Sequence, residues 1–421
     1  MLKRSKHLKK SVILLIIFCM VMCFSMTGCG SEGSEEPAAD DQQTEQTETA
    51  DSTDNAEEQQ TEDSQEEAPM TEAPEIAGLT FESELEKEYA TEFNVYRYEG
   101  GYKYFHIVDG DDFLLVPEGG TVPDGLSEDV TVLQAPVKNI YLAATAQMAL
   151  FLSMDGADSV RMTSLKQSGW TYEEPKKLMD EGKILFAGKY SEPDYEMLLD
   201  EGCELAIEST MIYHSPEVKE MIEDIDIPVL VDRSSYESNP IGRVEWIKFY
   251  AELIGKEAEA KAFFDDQMAK IESLKDLENS GKTVAFFYIT TDGKANVRRG
   301  DDYIPAMIEM AGANYIFKDI ASDTGHSTVP MTMEAFYDKA KDADIVLYNA
   351  SIDGSVKTLD DLIAKDPIMS ELKAVKENNC WSTGSSMYQR TDIVGDMIMD
   401  FHTLFTEEDP EGKLQFLSKL D

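Results

Sequence analysis

The sequence predicts an α/β protein. It reads as two α/β lobes with mainly parallel sheets, joined by one long backbone helix and preceded by a disordered acidic tether. Three observations predict this. Strand-like runs alternate with helical stretches from Lys138 onward and again from Lys282. Between the two blocks, a helical stretch rich in Ala, Lys and Glu runs from about Ile241 to Leu277. Between Gly30 and Thr80 there are seventeen acidic residues and no Lys or Arg, set among Gln, Thr, Ser, Ala and Pro. That segment has too little apolar surface to offset ordering entropy, and its charges repel one another. The boundaries that follow are 1–28, 29–80, 81–240, 241–277 and 278–421.

The first of these segments is basic (Lys3, Arg4, Lys6, Lys9, Lys10) and then apolar from Val12 to Phe24. This is the pattern of an export signal, too short to suggest a membrane span. It closes on Ser25-Met26-Thr27-Gly28-Cys29, which resembles a bacterial lipobox, although Met26 stands where Leu is usual. A diacylglycerol on Cys29 would anchor the mature chain to the outer face of the cell membrane, with the tether lifting the folded part through a Gram-positive type of envelope.

The whole chain carries a formal charge of −46, and its folded part is itself strongly acidic. That argues against nucleic acid or an anionic membrane surface as a partner. Of five cysteines, only Cys203 and Cys380 lie in the folded part. Two cysteines so far apart make neither a disulfide framework nor a metal motif, and are expected to be small buried apolar groups.

The elements follow in order. Phe93–Tyr98, Tyr102–Val108 and Phe113–Val116 read as strands, with a hairpin signal at Asp109-Gly110. Ile140–Ala143 is a strand leading into a helix through Leu152; 184–188, 205–208 and 229–231 are further strands, with helices at 194–201 and near 216–223. After the long helix come strands at 284–289 and 345–348, and helices near 304–311, 333–341, 359–364 and 393–404.

In this order the landmarks resemble the helical-backbone solute-binding proteins of importers for iron–siderophores, haem and vitamin B12, over roughly residues 100–420. Pro136–Leu142 with Ala149–Ala157 resembles that family's first strand and helix. Glu192–Met197 leading to Cys203–Ile207 resembles a unit in which a glutamate opens a helix that runs to a cleft strand. Met331–Phe336 leading to Ala343–Leu347 resembles its counterpart in the second lobe. Ile227–Val231 and Asp366–Trp381 resemble the last N-lobe strand and the segment before the last strand. The resemblance implies two lobes flanking a shallow cleft, small lobe movements on binding, and a monomeric receptor that hands a small iron chelate to an ABC permease. It also implies that Glu196 and Glu334, one near the start of a helix in each lobe, dock onto permease arginines.

The cleft would be lined by loops at strand ends. The N-lobe candidates are Trp170, Tyr190, Tyr213, Arg233 and Tyr236; those of the C-lobe are Arg298, Arg299, Tyr303, His326, Tyr388 and Arg390. Arginines with aromatic rings suit an anionic, planar or catecholate-like chelate. The competing reading pairs each arginine with a nearby acid such as Asp301 or Asp302, and packs each ring in the core. His326, in the polar loop Asp323–Thr328, is a candidate haem-iron ligand with an N-lobe methionine such as Met162 opposite. No catalytic, cofactor or metal site is expected. Gly-x-Ser-x-Gly, His-Glu-x-x-His and phosphate-loop motifs are absent, and His106, His214, His326 and His402 are scattered.

Overall fold

The computed structural model describes residues 72–321 and 327–421. The export signal, Cys29, most of the acidic tether and His326 lie outside those residues.

The first sheet comprises β1 (Phe81–Glu84), β2 (Phe93–Tyr98), β3 (Tyr102–Ile107), β4 (Asp112–Val116) and β5 (Val130–Gln134), in that spatial order. It is antiparallel as far as β4, and β5 joins β4 in parallel. The β3–β4 turn follows from Asp109, which adopts a left-handed φ of 49° that aspartate tolerates better than most residues. Strand alternation sends Phe93, Val95, Phe105, Phe113 and Leu115 into the main core. Tyr96, Tyr98, Tyr104, Leu114 and Val116 go to a smaller cluster closed by Ile76. With both faces covered, the strands read as nearly continuous apolar runs. The expectation of one α/β lobe over 81–240 therefore needs correction: its first third is a separate, mainly antiparallel sheet.

The N-lobe proper begins at β6 (Ile140–Leu142) and continues through β7 (Val160–Thr163) and β8 (Leu185–Phe186). A short ribbon, β9 (Gly188–Lys189) with β10 (Glu192–Pro193), precedes β11 (Ala206–Ser209) and β12 (Val229–Asp232). The five-stranded order β12-β11-β6-β7-β8 is parallel throughout. Helices Met148–Ser153, Glu173–Asp180, Tyr195–Asp200 and Pro216–Asp224 intervene.

The single helix expected over 241–277 is two helices, Pro240–Ile254 and Glu257–Glu272. Gly255 breaks it. Gly255 caps the first helix in the left-handed region at φ 73°, a conformation that costs glycine little. Thirteen of the fifteen residues of Pro240–Ile254 are buried, so this is an all-round buried connector.

The C-lobe sheet contains β13 (Thr283–Ile289), β14 (Ala295–Arg298), β15 (Asn314–Tyr315), β16 (Thr328–Met331), β17 (Ile345–Tyr348), β18 (Cys380–Thr383) and β19 (Leu417–Lys419). Its order is β16-β14-β13-β17-β18-β19, with β15 also paired to β13. The centre, β13-β17-β18, is parallel, while β14 pairs antiparallel with both β13 and β16 and β19 pairs antiparallel with β18, so this lobe is mixed. Its helices are Tyr303–Met310, Met333–Ala340, Leu359–Lys365, Lys373–Lys376 and Val394–Thr406. Cys380 is buried and Cys203 partly so, and both are unpaired.

Three acids of the connecting segment hold the first sheet. Glu245 is fully buried and accepts the backbone N–H groups of Glu88 (3.0 Å), Tyr89 (2.8 Å) and Ala90 (2.8 Å). Glu237 accepts those of Thr91 (2.9 Å) and Glu92 (3.0 Å), together with the Trp246 indole N–H (3.0 Å). Glu252 pairs with Arg97 and with Lys103 (2.7 Å). Hydrogen bonds from several N–H groups are what make a buried carboxylate tolerable.

Candidate functional site

In the N-lobe the strand order reverses between β6 and β11, and in the C-lobe the parallel run leaves β13 through β17. Loops after parallel strands at such points form crevices. Tyr213 follows β11, Arg233 and Tyr236 follow β12, and the 164–172 loop follows β7. Asn349 follows β17, and Tyr388, Gln389 and Arg390 follow β18.

Two bridges bring these loops together. The Gln389 side chain donates to Gly169 O (2.8 Å) and accepts from Thr171 N (2.9 Å) and Thr171 Oγ1 (3.0 Å). Arg243, near the start of the connecting helix, donates to the carbonyls of Ser235 (2.5 Å) and Glu237 (3.2 Å) while its guanidinium lies 3.7 Å from the Tyr303 ring centre. The second bridge ties the loop carrying Tyr236 to the C-lobe helix Tyr303–Met310.

On the C-lobe side Arg298 is the hub. It donates to the Tyr388 hydroxyl and to Ser327 Oγ (3.1 Å), and pairs with Asp302 at 3.5 Å. Tyr388 also accepts from Asn349 Nδ2 (2.8 Å). Burial alone would pull the Arg298 guanidinium down, but Tyr388, Asp302 and Tyr303 outweigh it and the net shift is upward. Burial pushes the Tyr303 phenol up, and it stays neutral. The Asp302 side chain also caps the helix Tyr303–Met310 by accepting from Ile304 N (3.0 Å). Gly300 lets this turn form, since a Cβ there would sit 1.8 Å from Lys318 O.

On the N-lobe side Arg233 pairs with Glu92 (2.9 Å) and Asp109 (3.4 Å), both supplied by the first sheet. Its guanidinium lies 4.4 Å from the Tyr236 ring centre. Burial raises the Glu92 carboxyl, and the hydrogen bond from Arg233 pulls it back in part. Tyr213 and Tyr236 are 45% and 51% exposed. Arg390 forms a two-pronged pair with Asp392 (2.7 and 2.7 Å) and lies over the Tyr172 ring at 4.8 Å.

The other candidates fall elsewhere. Trp170 is 2% exposed and packs edge-on against Tyr172 in the main core. Burial withdraws its ring from any ligand. Tyr190 packs against the second N-lobe core, and Met162, with no exposed surface, lies inside it, so Met162 is not open to an iron centre. Arg299 pairs with Asp301. Glu196 and Glu334 are both exposed in the first turn of a side-chain-capped helix; Asp194 accepts Met197 N (3.0 Å), and Thr332 accepts Ala335 N (3.3 Å).

Sequence reasoning missed Tyr172, Arg243, Gln389 and Asn349, and the acids Glu92 and Asp109. Tyr172 and Gln389 each neighbour a named candidate, which was a usable signal; Arg243 reads as an ordinary helix residue. Among the described residues no cluster of three or more His, Cys, Asp or Glu could hold a metal ion, and no helix is long and apolar enough to cross a membrane.

The sequence profile of the family described as "Periplasmic binding protein" matches residues 148–386. The chain belongs to the periplasmic binding protein family. An uncharacterized lipoprotein of Methanocaldococcus jannaschii is 26% identical over 334 residues, covering 74% of this chain and 76% of that protein. Among solved structures, the periplasmic haem-binding protein HutB of Vibrio cholerae has a TM-score of 0.52 at 19% identity, covering 64% of this chain and 99% of that one. A protein of the ABC-type Fe3+-hydroxamate transport system of Saccharomonospora viridis has a TM-score of 0.50 at 16% identity, covering 65% and 94%. At these identities the likeness to the two structures is one of fold. The family and these neighbours are solute-binding proteins, not enzymes. The family match starts after β5, so the first sheet lies outside it.

Proposed function

We propose that this binding protein is the extracellular receptor of an ABC importer, held at the cell membrane by a lipid on Cys29, and that its cargo is an iron chelate of the siderophore class. The observation that carries the importer reading is the matched pair Glu196 and Glu334. Each is exposed, lies in the first turn of a capped helix and occupies the same unit of its own lobe. A carboxylate there is favoured by the helix dipole and stays available to a basic partner. Solved relatives of the fold titled as haem-binding and as Fe3+-hydroxamate transport support an iron-containing cargo, and relatives named as lipoproteins support the anchor. Haem and cobalamin are the alternative cargoes, and a tethered sensor without a permease is the alternative role.

The test compares iron-chelate uptake by cells carrying the native chain or Glu196→Ala/Glu334→Ala, with chelate binding measured in parallel. The expected result is lost uptake with retained binding. Undiminished uptake by the double variant would remove the docking role. Haemin binding with a Soret shift abolished by His326→Ala would move the cargo from siderophore to haem.

A further inference from the structure

Each arginine placed at the cleft from the sequence is already matched by a carboxylate. Arg233 faces Glu92 and Asp109; Arg298 faces Asp302; Arg299 faces Asp301; Arg390 faces Asp392. Arg243, the fifth guanidinium, is spent on two backbone carbonyls and the Tyr303 ring. Four of the five guanidinium groups thus meet five carboxylates, within a chain of net charge −46. Asp301 and Asp109 are exposed, but two of the pairs are largely buried. The side chains of Arg298 and Asp302 are 10% and 5% exposed, and those of Arg233 and Glu92 are 11% and 16% exposed. A highly charged anion entering here would have to break half-buried pairs, leaving carboxylates unpaired, and would meet a negative field from the rest of the domain. Tyr213 and Tyr236 add exposed aromatic surface after β11 and β12, beside Arg233. Such faces attract cations and stack on neutral ligands.

We infer that the cleft selects an uncharged or cationic iron chelate and discriminates against polyanionic ones, and that the first sheet sets this selectivity by placing Glu92 and Asp109 on Arg233. The inference rests on the iron-chelate reading above and reverses the anionic preference that arginine content alone suggested.

The test uses the full-length protein in detergent and three ferric probes: a monocationic linear trihydroxamate, an uncharged cyclic trihydroxamate and a trianionic tricatecholate, each titrated by calorimetry. The expected result is that at least one trihydroxamate binds about tenfold or more tightly than the tricatecholate. In Glu92→Gln/Asp109→Asn, which removes both carboxylate partners of Arg233, the affinity ratio should move toward the tricatecholate by about tenfold. Asp109→Asn alone, which keeps a residue type tolerant of the left-handed turn, should move it in the same direction and serves if the double variant does not fold. Tighter binding of the tricatecholate by the native protein overturns the inference, as does a ratio unmoved by both variants. Binding of none of the three sinks the iron-chelate reading on which it stands.

Discussion

Glu208 supports a quantitative prediction. It lies on β11 opposite Val231 of β12 and shares its sheet face with the second N-lobe core, where Tyr141, Val229 and Val231 are packed. The residue has no exposed surface, and neither carboxyl oxygen has a hydrogen-bond partner. Burial raises its pKa from 4.5 to about 8. The folded state therefore keeps a proton that the unfolded chain releases. Below about pH 4.5 both states hold it and there is no penalty; as pH rises toward 8 the unfolded state is increasingly favoured, with a slope of up to about 1.4 kcal/mol per pH unit. Across the window the loss amounts to about 4–5 kcal/mol. Glu208→Gln removes the titration while leaving an equally unpartnered amide. Urea denaturation of both proteins from about pH 5 to about pH 8.5, followed by tryptophan fluorescence, should show the variant gaining on the native protein by about 4 kcal/mol. Curves that stay parallel within about 1 kcal/mol would refute the claim that this carboxyl is buried without a partner.

Glu245→Ala removes the acceptor for three backbone N–H groups and should cost about 3 kcal/mol or more, read as a lower urea midpoint and early proteolysis within residues 85–92. Gly300→Ala forces a Cβ onto the Lys318 carbonyl and should destabilise the protein by about 2 kcal/mol or more, read as a lower urea midpoint. Gln389→Ala should leave the fold intact but speed amide exchange at Thr171, whose N–H the Gln389 side chain accepts.

Local elements were legible where local rules govern them. β17 and the Asp109 turn follow from apolar runs and turn chemistry, and the helices Tyr195–Asp200 and Met333–Ala340 match the stretches read at 194–201 and 333–341. Assembly was less so. Nothing in residues 81–134 announces that five strands form their own sheet, because pairing depends on partners and not on pattern. Glu237 and Glu245 look like ordinary solvated acids; their partners are backbone amides some 150 residues earlier (146 positions for Thr91 and 155 for Ala90). For the same reason Arg233 reads as free positive charge until Glu92, 141 positions away, is seen against it. The break at Gly255 was visible as a glycine, but helical spacing continues across it, and only the left-handed φ turns spacing into a stop.

The clamp on the connecting helix also has a mechanical consequence. A pull on the chain from its N-terminal side enters the folded part through the first sheet. From there much of it passes into Glu237, Glu245 and Glu252, which belong to the connector and its approach. The rest reaches the N-lobe along the backbone from β5 into β6 and through Arg233 and Lys219. Were the chain held by a lipid on Cys29, as proposed, that pull would be resisted by the N-lobe and the connector together and would do little work on the opening between the two lobes.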